Sequence, residues 1–163
     1  LYCSDVYNIG NVDKENNSSQ LDHVFINKSG IYVIETKRYS GRIYGKENDY
    51  QWTQVLAFGN VKNKLYNPVM QNETHIKRLN EIFENKYRLE SIVVFVRNNI
   101  EYIESDNVYT TNGLRKYFKE RLTEQVLQDI EVEEIYAKIF DYKENPRLTK
   151  KEHIKNIKSK KFK

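Results

Sequence analysis

Two β-prone runs, Gln20 to Asn27 and Gly30 to Arg38, meet around Lys28-Ser29, and this hairpin constrains the chain more than any other segment. A loop of Lys28-Ser29, or the longer Asn27 to Gly30, gives the same antiparallel register. Ile26 then faces Ile31, Val24 faces Val33, Asp22 faces Glu35 and Gln20 faces Lys37. Alternation of period two puts all eight side chains on one side of the sheet. Asp22 and Glu35 become cross-strand neighbours with Cβ atoms roughly 4.5–5.5 Å apart. A three-residue loop would instead set Asp22 opposite Thr36, off that shared face.

Two carboxylates at such a distance, flanked by apolar pairs, need a partner or a raised pKa. A divalent cation resolves the conflict, because magnesium is commonly held by one or two carboxylates together with waters and substrate phosphates. Lys37 lies two residues beyond Glu35 on the same face, where it can steady a phosphate or orient the attacking water. The bland alternative is two solvated acids and an ordinary cross-strand lysine, since a Glu-x-Lys triplet is common in charged chains.

Strand and helix patterns alternate along the rest of the chain, as in an α/β domain. Tyr2 to Ile9 reads as a strand, Gly10 to Ser19 as a loop and Arg42 to Gly45 as a strand. A further strand, or a helix start, includes Tyr50 and Trp52. Asn67-Pro68 has the cap and first-turn chemistry of a helix N-terminus, and helical spacing runs to about Tyr87. Ser91 to Val96 is a near-continuous apolar run, the mark of a strand covered on both faces. Val108 to Thr110 is another candidate strand. Two more amphipathic helices follow, on Leu114, Tyr117, Phe118 and Leu122, and on Val132, Ile135, Tyr136 and Ile139. Residues 1–145 are read as one domain and 146–163 as a basic tail.

Charge is unevenly spread. The tail from Arg147 carries eight basic residues and one acid, about +7, leaving the remainder of the chain near −3. Such a tail is able to hold phosphate backbones, although a solvated terminus accounts for it equally well. The longest apolar run, Ile92 to Val96, is far too short to span a bilayer, which needs roughly 20 residues. A cytoplasmic location is expected, with no membrane contact from this stretch of chain; a segment upstream of it could still carry an anchor. The lone Cys3 excludes an internal disulfide and a cysteine-rich zinc site, and His23, His75 and His153 are not spaced as zinc ligands. No Walker loop, dinucleotide fingerprint or serine triad signature is present.

Several motifs occur in order: Gln20-Leu-Asp-His-Val-Phe-Ile, Gly30-Ile-Tyr-Val-Ile-Glu-Thr-Lys, Tyr39-Ser-Gly-Arg-Ile-Tyr-Gly and Trp52-Thr-Gln. They closely resemble the nuclease-related domain (NERD) family, and Asn67-Pro68 with Gln71 and His75 is similar to that family's later motif. The resemblance covers roughly Tyr2 to Val96. It implies a restriction-endonuclease-like core of the PD-(D/E)xK superfamily: a central mixed β-sheet whose hairpin carries the site, flanked by helices. It further implies that Asp22 and Glu35 bind Mg²⁺ or Mn²⁺, that the Thr36 carbonyl adds a ligand, and that Lys37 is the catalytic lysine. Gln54 resembles the glutamine that follows the core in related nucleases.

The family's acidic residue on a preceding helix has no counterpart here. The chain opens without Met in a strand-like pattern, so an upstream segment is expected to be missing, and Glu15 is a poor substitute. Gln71 and His75 share a helix face at i, i+4 and, with Gln20, are the candidate substrate contacts. His23 must face the other side of its strand. Tyr44, Tyr50 and Trp52 could stack on single-stranded nucleic acid, but core packing is the expected role. The functional expectation is metal-dependent hydrolysis of nucleic acid, DNA in the first instance. The alternative is a non-catalytic module that binds nucleic acid or a protein partner on the same fold.

Overall fold

The computed structural model describes residues 22–144. In chain order the elements are β1 (His23–Asn27), β2 (Gly30–Lys37), β3 (Arg42–Lys46), β4 (Gln51–Leu56), β5 (Val61–Tyr66) and α1 (Pro68–Ile82). They continue as β6 (Leu89–Phe95), β7 (Tyr102–Glu104), β8 (Val108–Thr110), α2 (Thr111–Arg121) and α3 (Asp129–Glu144). One sheet has the order β1-β2-β6-β8 and is mixed, with β1 antiparallel to β2 and the other pairs parallel. A second sheet has the order β5-β4-β3-β7. The α/β class, the mixed central sheet and the flanking helices are those expected; a second four-stranded sheet was not anticipated.

The β1–β2 register is the even-loop one, pairing Ile26 with Ile31 and Val24 with Val33 around Lys28-Ser29. The Asn27 side chain closes the turn by accepting hydrogen bonds from the Ser29 N–H and hydroxyl at 3.0 and 2.7 Å. Val24, Ile26, Ile31 and Val33 are buried against Leu79 and Phe83, which α1 leads into the core, and Ile135 and Ile139 of α3. The opposite face of the same sheet packs Tyr32, Ile92 and Val94 under Leu114, Tyr117 and Phe118 of α2. Helices on both faces explain why β6 reads as an unbroken apolar run rather than an alternating one.

The inner face of the second sheet joins the first through Ile43, Trp52, Val69, Val93 and Phe95. Gly45 permits this closeness, since a Cβ at that position would lie 2.2 Å from the Trp52 ring. Gly41 turns the chain into β3 with φ +73°, where a Cβ would stand 2.3 Å from the Val55 carbonyl oxygen.

Two expectations need correction, and one strand was not expected. Helix α1 stops at Ile82 rather than near Tyr87, because Glu84 and Asn85 take left-handed φ values of 54° and 57°. Phe83 and Tyr87 remain buried beyond the helix end, which is why the apolar spacing seems to continue. Tyr44 and Tyr50 are exposed rather than core, and only Trp52 is buried. Strand β5 leaves no mark in the sequence, because nearly every residue in it is exposed and it lacks the alternating apolar signal. Gln20, Cys3, Glu15, His153, the Tyr2 to Ile9 strand and the basic tail lie outside the described residues.

Candidate functional site

Asp22 immediately precedes β1, and continuing the observed register by one step sets it opposite Glu35. Its carboxylate Oδ2 accepts the Thr36 backbone N–H at 2.9 Å, so a side chain takes over where the strand ladder ends. Glu35 is 2% exposed at the carboxyl end of β2, on the face covered by α1. Lys37, two residues on, donates from Nζ to Glu35 Oε1 at 2.5 Å and to Gln71 Oε1 of α1 at 3.0 Å. The other carboxylate oxygen, Glu35 Oε2, is buried and receives no hydrogen bond.

His75 follows Gln71 by one turn of α1 and is 3% exposed, with Nε2 3.7 Å from Glu35 Oε2 and without a hydrogen-bond partner. Burial raises the Glu35 pKa, opposed by the hydrogen bond and charge of Lys37 and reinforced by the charge of Asp22. Burial likewise lowers the His75 pKa, and the Arg78 and Lys37 charges push the same way. Held neutral, His75 forms no ion pair with Glu35 despite the short separation. A buried carboxylate with one idle oxygen, facing an unprotonated imidazole, is a costly arrangement that stability alone does not favour.

Asn72 lies between these two helical residues, at a position of the helix that otherwise carries mostly apolar side chains. It is fully buried, and its amide donates to the Val33 carbonyl at 2.8 Å, Ser91 Oγ at 2.9 Å and the Ile92 carbonyl at 3.3 Å. That one side chain pins α1 to the β2–β6 pair and thereby sets the height of Gln71 and His75 over Glu35. An asparagine at a position of helical apolar spacing was the available signal. Tyr39 also approaches, its ring centroid 5.9 Å from Lys37 Nζ, within reach of a cation–π contact.

The structure therefore gathers Asp22, Glu35, Thr36, Lys37, Gln71 and His75. Gln54 is placed on the inner face of the second sheet. There its amide nitrogen donates to the Ser40 carbonyl at 2.9 Å and its oxygen accepts from Asn63 at 3.1 Å, with no hydrogen bond to the other six. His23 has a buried Nδ1 without a partner.

Among the described residues no group of three or more His, Cys, Asp or Glu is placed to hold a metal ion. Magnesium needs fewer protein ligands, one or two carboxylates with waters and substrate oxygens completing the shell. Two facing carboxylates, one with an unclaimed oxygen, fit that requirement, and the Thr36 carbonyl is a further oxygen donor on the same strand.

Comparison with known proteins places these residues within a family match. The model of the nuclease-related domain family matches residues 3–96. An uncharacterised protein of Bacillus anthracis is 30% identical over 161 residues, covering 95% of this chain and 74% of the relative. No solved structure matches. No helix among the described residues is long and apolar enough to cross a membrane. A nuclease-related domain carries the general expectation of a divalent metal and a nucleic-acid partner. On a family match spanning more than half its length and a site built on the matched residues, the chain belongs to the nuclease-related domain family.

Proposed function

We propose that this domain hydrolyses phosphodiester bonds in DNA with the aid of Mg²⁺ or Mn²⁺ at Asp22, Glu35 and the Thr36 carbonyl. The observation that carries the reading is the buried Oε2 of Glu35 beside Asp22, an oxygen that no hydrogen bond claims while Lys37 pairs with Oε1. A bound divalent ion supplies positive charge to the phosphate oxygens and makes nearby water more acidic.

The side chains of this protein do the rest. An ammonium has three donors, and Lys37 commits two of them to Glu35 and Gln71. The third is left for the phosphate or for the water that attacks it. Gln71 thus orients Lys37 rather than touching the reacting atoms. Neutral His75 offers a ring nitrogen beside Glu35, where it can bond a phosphate oxygen or a water without adding charge. Water adds to phosphorus and gives up a proton to solvent, the bond to the leaving sugar oxygen breaks, and that oxygen takes up a proton from solvent.

The test pairs Mn²⁺ calorimetry with cleavage of labelled DNA by the wild type, Asp22→Ala, Glu35→Ala and Lys37→Ala. Both acidic variants should lose metal binding and turnover, whereas Lys37→Ala should keep the metal and lose turnover. Turnover that survives Lys37→Ala would refute the assignment. A folded protein with neither metal binding nor turnover would support the alternative, a binding module on a nuclease fold.

A further inference from the structure

The outer face of the second sheet carries an arrangement that the hydrolytic site does not use. Residues paired across strands share a face, so the register places Arg42, Val55 and Lys62 in one row and Lys64, Thr53, Tyr44 and Tyr102 in the next. Arg42, Lys62 and Lys64 are exposed, and Tyr44 and Tyr102 are 37% and 45% exposed. The two tyrosine rings stack with centroids 4.6 Å apart and planes 20° from parallel, so they hold each other upright on the face.

Charge on this face is one-sided. Lys46 pairs with Glu104 at 3.0 Å. Lys64 reaches only the neutral Thr53 hydroxyl at 3.1 Å, and no carboxylate among the described residues pairs with Arg42 or Lys62. Three cations without a carboxylate partner among the described residues therefore flank two stacked aromatic rings, in a chain whose residues outside the basic tail sum to about −3. A polyanion with flat apolar groups is the ligand that such a face complements, and single-stranded nucleic acid combines phosphates with bases free to stack. A duplex hides its bases and would use the cations alone.

We propose that the outer face of β3, β4, β5 and β7 binds single-stranded nucleic acid, with bases on Tyr44 and Tyr102 and phosphates on Arg42, Lys62 and Lys64. Its choice of polymer rests on the nuclease-related reading, but it needs neither the metal nor turnover. Strand β3, on which Arg42 and Tyr44 stand, begins five residues after Lys37 in the chain.

The test is fluorescence anisotropy of labelled oligothymidylate with the whole chain in EDTA, which removes divalent ions and prevents cleavage. Replacing Arg42, Lys62 and Lys64 together by Ala should flatten the salt dependence of log K by about 2, from a slope near −0.7 per phosphate contact. Tyr44→Ala combined with Tyr102→Ala should leave that slope unchanged and weaken binding about 5- to 150-fold for one lost base stack. These positions are exposed, and circular dichroism checks that the variants fold. The triple variant should bind Mn²⁺ normally, so failure of the hydrolytic site is distinguishable from failure of this face. Unchanged binding by the triple variant would move the phosphates elsewhere, to the basic tail for example, and overturn the proposal. So would unchanged binding by the tyrosine variant, or a duplex of the same length bound as tightly.

Discussion

Asn67 joins the two halves of the fold, and replacing it should be felt in both. Its Oδ1 caps α1 by accepting the Val69 N–H at 2.8 Å, while its Nδ2 donates to the carbonyls of Glu47 and Asp49, each at 2.7 Å, and weakly to that of Lys46. The side chain is fully buried. Asn67→Ala removes an N-cap, worth about 1 kcal/mol. It also strands the carbonyls of Glu47 and Asp49, at about 1–3 kcal/mol. The low end applies to that second part, because Asp49 is exposed and water can reach its carbonyl; Lys46 loses little, since its oxygen also accepts Trp52 Nε1 at 2.9 Å. The expected loss is about 2–3 kcal/mol, read as a lower urea midpoint at constant slope. Asn67→Ser keeps a cap oxygen without the amide and should recover about 1 kcal/mol relative to Ala. A loss in Asn67→Ala below about 0.5 kcal/mol, the range of ordinary surface changes, would refute the reasoning. Equal stability of the Ser and Ala variants would refute the cap half of it.

Gly45→Ala should destabilise by about 1–3 kcal/mol through overpacking against Trp52, checked by thermal unfolding. His75 has a folded pKa below the ordinary 6.5, so its contribution to stability is complete above pH 6.5 and is lost as pH falls from there toward the folded value. His75→Gln should flatten that limb, measured by urea unfolding between neutral and mildly acidic pH, with a change in slope of at most about 1.4 kcal/mol per pH unit. Glu35 acts in the opposite sense, since its raised pKa makes the folded state take up a proton more readily as pH falls; the difference between wild type and variant isolates the histidine. Mn²⁺ at a hundredfold excess over its Kd should stabilise the wild type by about 2.7 kcal/mol and leave Glu35→Ala unmoved, as read by differential scanning fluorimetry.

Local chemistry pointed to the even-loop hairpin register, the start of α1 at Asn67-Pro68 and a strand covered on both faces, expected at Ser91 to Val96 and formed by Leu89–Phe95 with Val96 exposed beyond its end. Each depends on neighbours close in the chain: an even loop, a cap beside a proline, an apolar run of strand length. The pairing of Asp22 with Glu35 followed from the same arithmetic, as did the common face of Glu35 and Lys37. What the tertiary structure decided depends on contacts between distant segments. That Gln71 receives Lys37, and that Asn72 pins α1 over β2, follows from the packing height of the helix, which i, i+4 spacing suggests but cannot set. The second sheet was hidden for a similar reason. Strand β5 is almost wholly exposed and leaves no hydrophobic period, and β7 finds its place only by pairing with β3. Tyr44 and Trp52 look alike as aromatic residues in a β-prone stretch. Their opposite fates, one exposed beside Tyr102 and the other buried against Phe95, were settled by which face of that sheet met the rest of the protein.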